Sequence, residues 1–157
     1  MKFGGMVTTR IDEWEILQFL EKLGYSSGLV PDSQMIWSDC YATLSLAALH
    51  TSRISLGTGV SIAGTRFAPV TAHSIASINK IAPGRVFLGI GTGHTAMRIM
   101  GQEPVSPTYF REYLRVVRGL LQGKEVEYGI EDEQRPIRFL DPELGCIDIE
   151  HLSLIHI

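Results

Sequence analysis

The sequence predicts an α/β fold of the TIM-type (β/α)8 barrel kind, with only the first four βα units present plus a hairpin insertion. Three observations predict it: four short apolar segments read as buried strands, a helical pattern follows each, and the spacing between them is regular. Strands that alternate with helices imply a parallel sheet. Counted at Phe3, Leu29, Ile54 and Val86, the strands stand 26, 25 and 32 residues apart. An eight-unit barrel of about 250 residues uses roughly 30 per unit.

The elements follow in order. Phe3 to Val7, Gly28 to Val30, Ile54 to Val60 and Val86 to Gly91 are the predicted strands. The first helix carries Ile16, Phe19, Leu20 and Leu23 at helical spacing, which predicts that this face lies on the sheet, and Gly24 stands where a left-handed cap would end it. A second helix is predicted over Tyr41 to Leu49. A third starts at Pro69, whose fixed φ suits a first helical position, and stops before Pro83-Gly84. Ser106-Pro107 begins a fourth, with Phe110, Leu114, Val117 and Leu121 on one face and Gly123 after it. Glu125 to Tyr128 and Pro136 to Leu140, joined by the polar Glu131-Asp132-Glu133-Gln134, read as the hairpin.

Composition narrows the function classes. The chain has 157 residues, 45% of them hydrophobic, with 14 Lys and Arg against 17 Asp and Glu and a net charge of −3. That balance, with no basic patch, argues against a nucleic-acid partner. Cys40 and Cys146 form no C-x-x-C pair, so neither a disulfide framework nor a zinc site is implied, and a reducing cytoplasm is the expected compartment. No run approaches the roughly 18 apolar residues of a membrane span, and Met1 to Gly5 does not resemble a signal peptide.

In parallel α/β folds ligands gather at the carboxyl ends of the strands, where loops and helix N-termini share one surface. Those ends read Val30-Pro31-Asp32-Ser33-Gln34, Gly57-Thr58-Gly59-Val60-Ser61 and Gly89-Ile90-Gly91-Thr92-Gly93-His94. Glycine there lets a flat ring or phosphate approach the backbone, although glycines also serve tight turns and strand curvature. Asp32 could hydrogen-bond a ligand ring or simply open a polar loop. His94 is the histidine placed at a strand's carboxyl end, and imidazole is the side chain suited to proton transfer near neutral pH; a solitary loop histidine is the plainer reading. Arg66 and Arg98 could pair with phosphate or carboxylate, or act as surface cations. The G-x-G-x-G spacing differs from the dinucleotide fingerprint and falls on the fourth strand.

Taken together, Asp32-Ser33-Gln34, the run from Leu46 to Val60, Thr65-Arg66-Phe67-Ala68-Pro69, Pro83 to Gly93, Ala96-Met97-Arg98 and Gly101-Gln102-Glu103-Pro104 resemble the luciferase-like superfamily. The Tyr113-to-Gly123 helix and Arg135 to Leu140 are similar to its flavin- or deazaflavin-dependent oxidoreductase branch. The resemblance implies a barrel about twice this length, holding FMN or the deazaflavin coenzyme at its carboxyl-end face. Hydride would pass between the coenzyme and a small organic substrate, with oxygenation in some members, and the full-length protein would be a homo-oligomer. A backbone bulge, often with a non-proline cis peptide, would fall at Gly59-Val60. Asp32, Gly59, Val60, Ser61, Gly91, Thr92 and Gly93 would bind the cofactor, with His94 as catalytic candidate. Phe67 and His94 depart from the family's common histidine and Asp or Asn at those places.

Residues Leu152 to Ile157 read like the translation of a transposon-end adapter used in sequencing libraries, so 1–151 is expected to be the N-terminal half of a barrel domain and 152–157 a foreign tail. A genuine terminal strand is the other reading of those six residues. The fragment alone is expected to be inactive; the alternative is a non-enzymatic half-barrel subunit that self-associates.

Overall fold

The computed structural model describes residues 1–129 and 133–156; Glu131 and Asp132 of the polar hairpin turn lie outside the described residues. The strands are β1 (Gly4–Met6), β2 (Ser27–Val30), β3 (Ser55–Thr58), β4 (Ser61–Ile62), β5 (Val86–Gly91), β6 (Val126–Tyr128), β7 (Arg135–Ile137) and β8 (Ser153–His156). The helices are α1 (Glu15–Lys22), α2 (Cys40–His50), α3 (Ala68–Ile81), α4 (His94–Ile99) and α5 (Pro107–Leu121). β1, β2, β3 and β5 lie side by side in that order, all parallel. Because the order advances steadily and parallel crossovers are right-handed, the connecting helices cover a single face of the sheet. Between that face and the helices lies the core, built on Leu17, Val30, Leu44, Leu56, Ile75, Leu88 and Ile90. Burial of each such side chain contributes roughly 1.5–3 kcal/mol.

β3 and β4 are two parts of one strand position. Gly57 is opposite Phe87 and Ser61 is opposite Ile90, so the β3–β4 side has one residue more than β5 between the two pairs, which is a bulge. The Gly59–Val60 peptide inside it is cis. Where the ladder is interrupted, Thr58 Oγ1 donates to Gly89 O at 2.7 Å and accepts from Gly89 N at 3.0 Å, so a side chain replaces the missing backbone pairing.

Several expectations are corrected. Beside the four βα units, the terminal segment forms a further strand: β8 pairs parallel with the flank of β5, Phe87 opposite Ser153 through Ile90 opposite His156. Leu152 and Leu154 pack on the core there, which gives this segment a reason to join the sheet. The face of α1 is also turned. Leu17 is fully buried and Leu20 partly so, while Ile16, Phe19 and Leu23 are exposed. The buried stripe ends in Glu21, whose Oε1 accepts from the amides of Ser52, Arg53 and Ile54 at 2.9, 2.6 and 2.9 Å and so ties α1 to the start of β3. The hairpin strands are shorter than predicted, and a helix absent from the prediction, α4, follows β5.

Capping follows the sequence signals. Asp39 Oδ1 accepts from Ala42 N at the start of α2 and Ser106 Oγ from Tyr109 N at α5, and Gly24 and Gly123 sit at positive φ beyond α1 and α5. Arg85 closes the other end of α2, donating to the carbonyls of Ala48, Thr51 and Ile54 and to Thr51 Oγ1. No described helix is long and apolar enough to cross a membrane.

Candidate functional site at the carboxyl ends of the strands

The loops after β2, β3 and β5 converge on a cavity of about 340 Å³ lined by Pro31, Asp32, Ser33, Gly59, Val60, Ile62 and the run Gly91 to Ala96. Seven of the eight residues singled out from sequence line it. The eighth, Ser61, stands behind the wall: it is buried, and its hydroxyl bonds Asp32 Oδ2 at 3.1 Å and Tyr41 Oη at 2.7 Å. Thr95 and Ala96 were not singled out. They reach the cavity because Gly93, in the left-handed region at φ 86°, turns the chain directly into α4. His94, the first residue of that helix, is exposed at the rim.

Glycines in and beside the wall make room for side chains of this chain. A Cβ on Gly57 would meet the Phe87 ring at 2.4 Å, and one on Gly91 would meet Val60 Cγ2 at 2.8 Å. Val60 also lies near Gly89, so the bulge sets a branched apolar side chain across two glycines of β5. The lining is therefore mixed, with the Val60 and Ile62 side chains set among glycine backbone and the polar Asp32, Ser33, Thr92, His94 and Thr95.

Beneath it lies a polar cluster. Asp32, 2% exposed, accepts from Gln34 Nε2 at 2.6 Å, Ser61 Oγ at 3.1 Å and Arg66 Nη1 at 2.9 Å. Arg66 also pairs with Asp39 and lies 4.6 Å over the Tyr41 ring. Its guanidinium is committed to these partners rather than presented to a ligand. Burial pushes the Cys40 thiol and the Tyr41 hydroxyl well above their usual ranges, so both stay neutral donors at physiological pH. Arg98 is exposed on α4 and does not line the cavity.

Comparison with known proteins gives this arrangement its context. The profile of luciferase-like monooxygenases matches residues 2–143. The chain belongs to this family. Among luciferase-like relatives, 5,10-methylenetetrahydromethanopterin reductase of Archaeoglobus fulgidus is 33% identical over 137 residues, covering 82% of this chain and 40% of that protein. The F420-dependent glucose-6-phosphate dehydrogenase of Mycobacterium avium is 33% identical over 129 residues, covering 73% and 38%. The structure of the coenzyme F420-dependent tetrahydromethanopterin reductase from Methanopyrus kandleri superposes with a TM-score of 0.73 at 26% identity, over 97% of this chain and 46% of that one. The FMN complex of the oxygenating constituent of 3,6-diketocamphane monooxygenase from Pseudomonas putida shares the fold, with a TM-score of 0.76 at 17% identity over 99% and 51%. The chain thus spans half or less of the length of these luciferase-like proteins, apart from the last, of which it spans 51%.

Proposed function

We propose that these residues form the coenzyme wall of an oxidoreductase that uses the deazaflavin coenzyme F420 to transfer hydride to or from a small organic substrate. The observation that carries this reading is the convergence of Asp32, Val60 and Gly91 to His94 on one cavity at the carboxyl ends of the strands. Its volume suits part of a tricyclic ring system, and its exposed backbone suits the close approach of a flat face. When bound, such a coenzyme supplies the two-electron chemistry. Val60 and the Gly91–Gly93 backbone would hold such a coenzyme with Asp32 and Ser33 beside it, and the His94 imidazole at the rim would exchange a proton with the substrate.

The relatives at 33% identity favour F420 over FMN, because a named F420-dependent enzyme stands among them, whereas the FMN complex shares only the fold. FMN and monooxygenation form the second reading. Catalysis in either case belongs to a complete homo-oligomeric barrel, since barrels commonly grip a phosphate with the loops after strands seven and eight. Residues 1–157 alone are proposed to bind the coenzyme weakly and to lack turnover, with residues 152–157 adapter-derived.

Titration of the purified chain with F420 and with FMN, followed by coenzyme fluorescence, tests this. Saturable binding of F420 that is lost on gel filtration is expected. Binding of neither coenzyme would overturn the proposal, and preferential binding of FMN would select the second reading.

A further inference from the structure

We infer that Arg66 is a positioning residue: with Asp32, Ser61 and Tyr41 it closes a buried ring that holds Val60 against the cavity, and so fixes the surface on which the coenzyme lies. This rests on the function proposed above. The ring can be followed bond by bond. Arg66 Nη1 donates to Asp32 Oδ2, the same oxygen accepts from Ser61 Oγ, Tyr41 Oη donates to Ser61 Oγ, and the Tyr41 ring lies beneath the Arg66 guanidinium. Its members come from the loop after β2, from α2, from β4 and from the segment before α3.

Three features make this more than an ordinary ion pair. Ser61 directly follows Val60, so the ring grips the chain beside the one side chain that crosses Gly89 and Gly91. Asp32 is both a member of the ring and a cavity-lining residue, so wall and support share a side chain. The pair is also shielded, with side-chain exposures of 19% for Arg66 and 2% for Asp32. A shielded charge pair holds its geometry far better than an exposed one. The planar fork of Arg66 serves Asp32 and Asp39 while its face lies on Tyr41, a combination that the point charge of lysine cannot reproduce.

Two variants of the chain test the inference. Arg66→Met leaves the Asp32 charge buried without its partner and could impair folding. Tyr41→Phe opens the same ring with no change of charge. Both are examined by near-UV circular dichroism, by amide hydrogen exchange and by F420 titration. Amides of the bulge, Gly59 (bonded to Val30 O) and Ala63 (bonded to Gly91 O), are expected to exchange faster, while Leu56, bonded to Arg85 O, keeps its protection. The F420 dissociation constant should rise about tenfold, as when an outer support of a bound group is removed. The double variant should be little worse than either single one, because the two groups act in one ring.

Unchanged exchange at Gly59 and Ala63 in folded Tyr41→Phe would overturn the inference. So would faster exchange spread evenly over the sheet, or coenzyme affinity equal to that of the wild type. Should the wild-type chain bind no F420, the proposed function fails, while selective exchange at the bulge still decides whether the ring holds it.

Discussion

Val60 lies so close over Gly91 that a Cβ placed on the glycine would stand 2.8 Å from Val60 Cγ2. Valine is stiff at χ1 and cannot swing aside cheaply. Gly91→Ala should therefore destabilise the chain by about 1–3 kcal/mol through overpacking. Combining it with Val60→Ala should restore part of the loss, because the clash needs both side chains. Urea unfolding of the two single variants and the double variant measures this, and additive losses would show that the two residues do not meet.

Glu21 links acid stability to one carboxylate. Burial alone would raise its pKa, but the backbone amides of Ile54, Arg53 and Ser52, with the Arg53 charge, outweigh this and hold it below its ordinary 4.5. A depressed folded-state pKa means that the stabilisation is present above about pH 4.5 and is lost as the pH falls through the lower folded value. Glu21→Gln should abolish this component, leaving a shallower acid limb in melting temperature against pH. Glu21→Ala should cost about 2–3 kcal/mol at neutral pH, since it removes the acceptor from three amides.

Arg85 binds carbonyls on both sides of the turn between α2 and β3. Arg85→Lys should still cost about 1–2 kcal/mol, because one ammonium cannot reach four acceptors in a plane. Equal unfolding free energies of the two proteins would count against this role.

Removal of residues 152–157 uncovers the flank of β5 and the contacts of Leu152 and Leu154. A loss of about 2–4 kcal/mol is expected from the apolar burial alone. Concentration-dependent association should also increase in sedimentation velocity, because a bare strand edge pairs readily. An unchanged melt and sedimentation profile would show that β8 contributes nothing.

The parallel sheet, the order of the strands and the convergence of Asp32, Gly59 and Gly91 to His94 were legible because strand periodicity and strand-end chemistry are local signals. What escaped had non-local causes. Ile16, Phe19 and Leu23 make as good an apolar stripe as Leu17 and Leu20, and the reach of Glu21 to the 52–54 turn helps decide which side faces inward. Six residues of α4 give too short a pattern to stand out, and the cap that starts it is a glycine in an already glycine-rich string. Ser61 is expected in the wall from the family resemblance and its place at a strand's carboxyl end, but it follows the bulge and its hydroxyl turns to Asp32 and Tyr41 behind the wall. Carboxylate pairing is one of the readings open for Arg66, but its partners could not be named because they are 34 and 27 residues distant.

The helices' confinement to one side of the sheet separates two kinds of inheritance. Leu56, Leu88 and Ile90 belong to the core beneath the helices and maintain the scaffold, while in the proposed function the segments beyond the carboxyl ends of β2 and β5 would carry the recognition chemistry. If that proposal holds, exchanges at Ser33, Thr92 or Thr95, which line the cavity and lie outside the core, would alter which molecule is accepted without unsettling the interior.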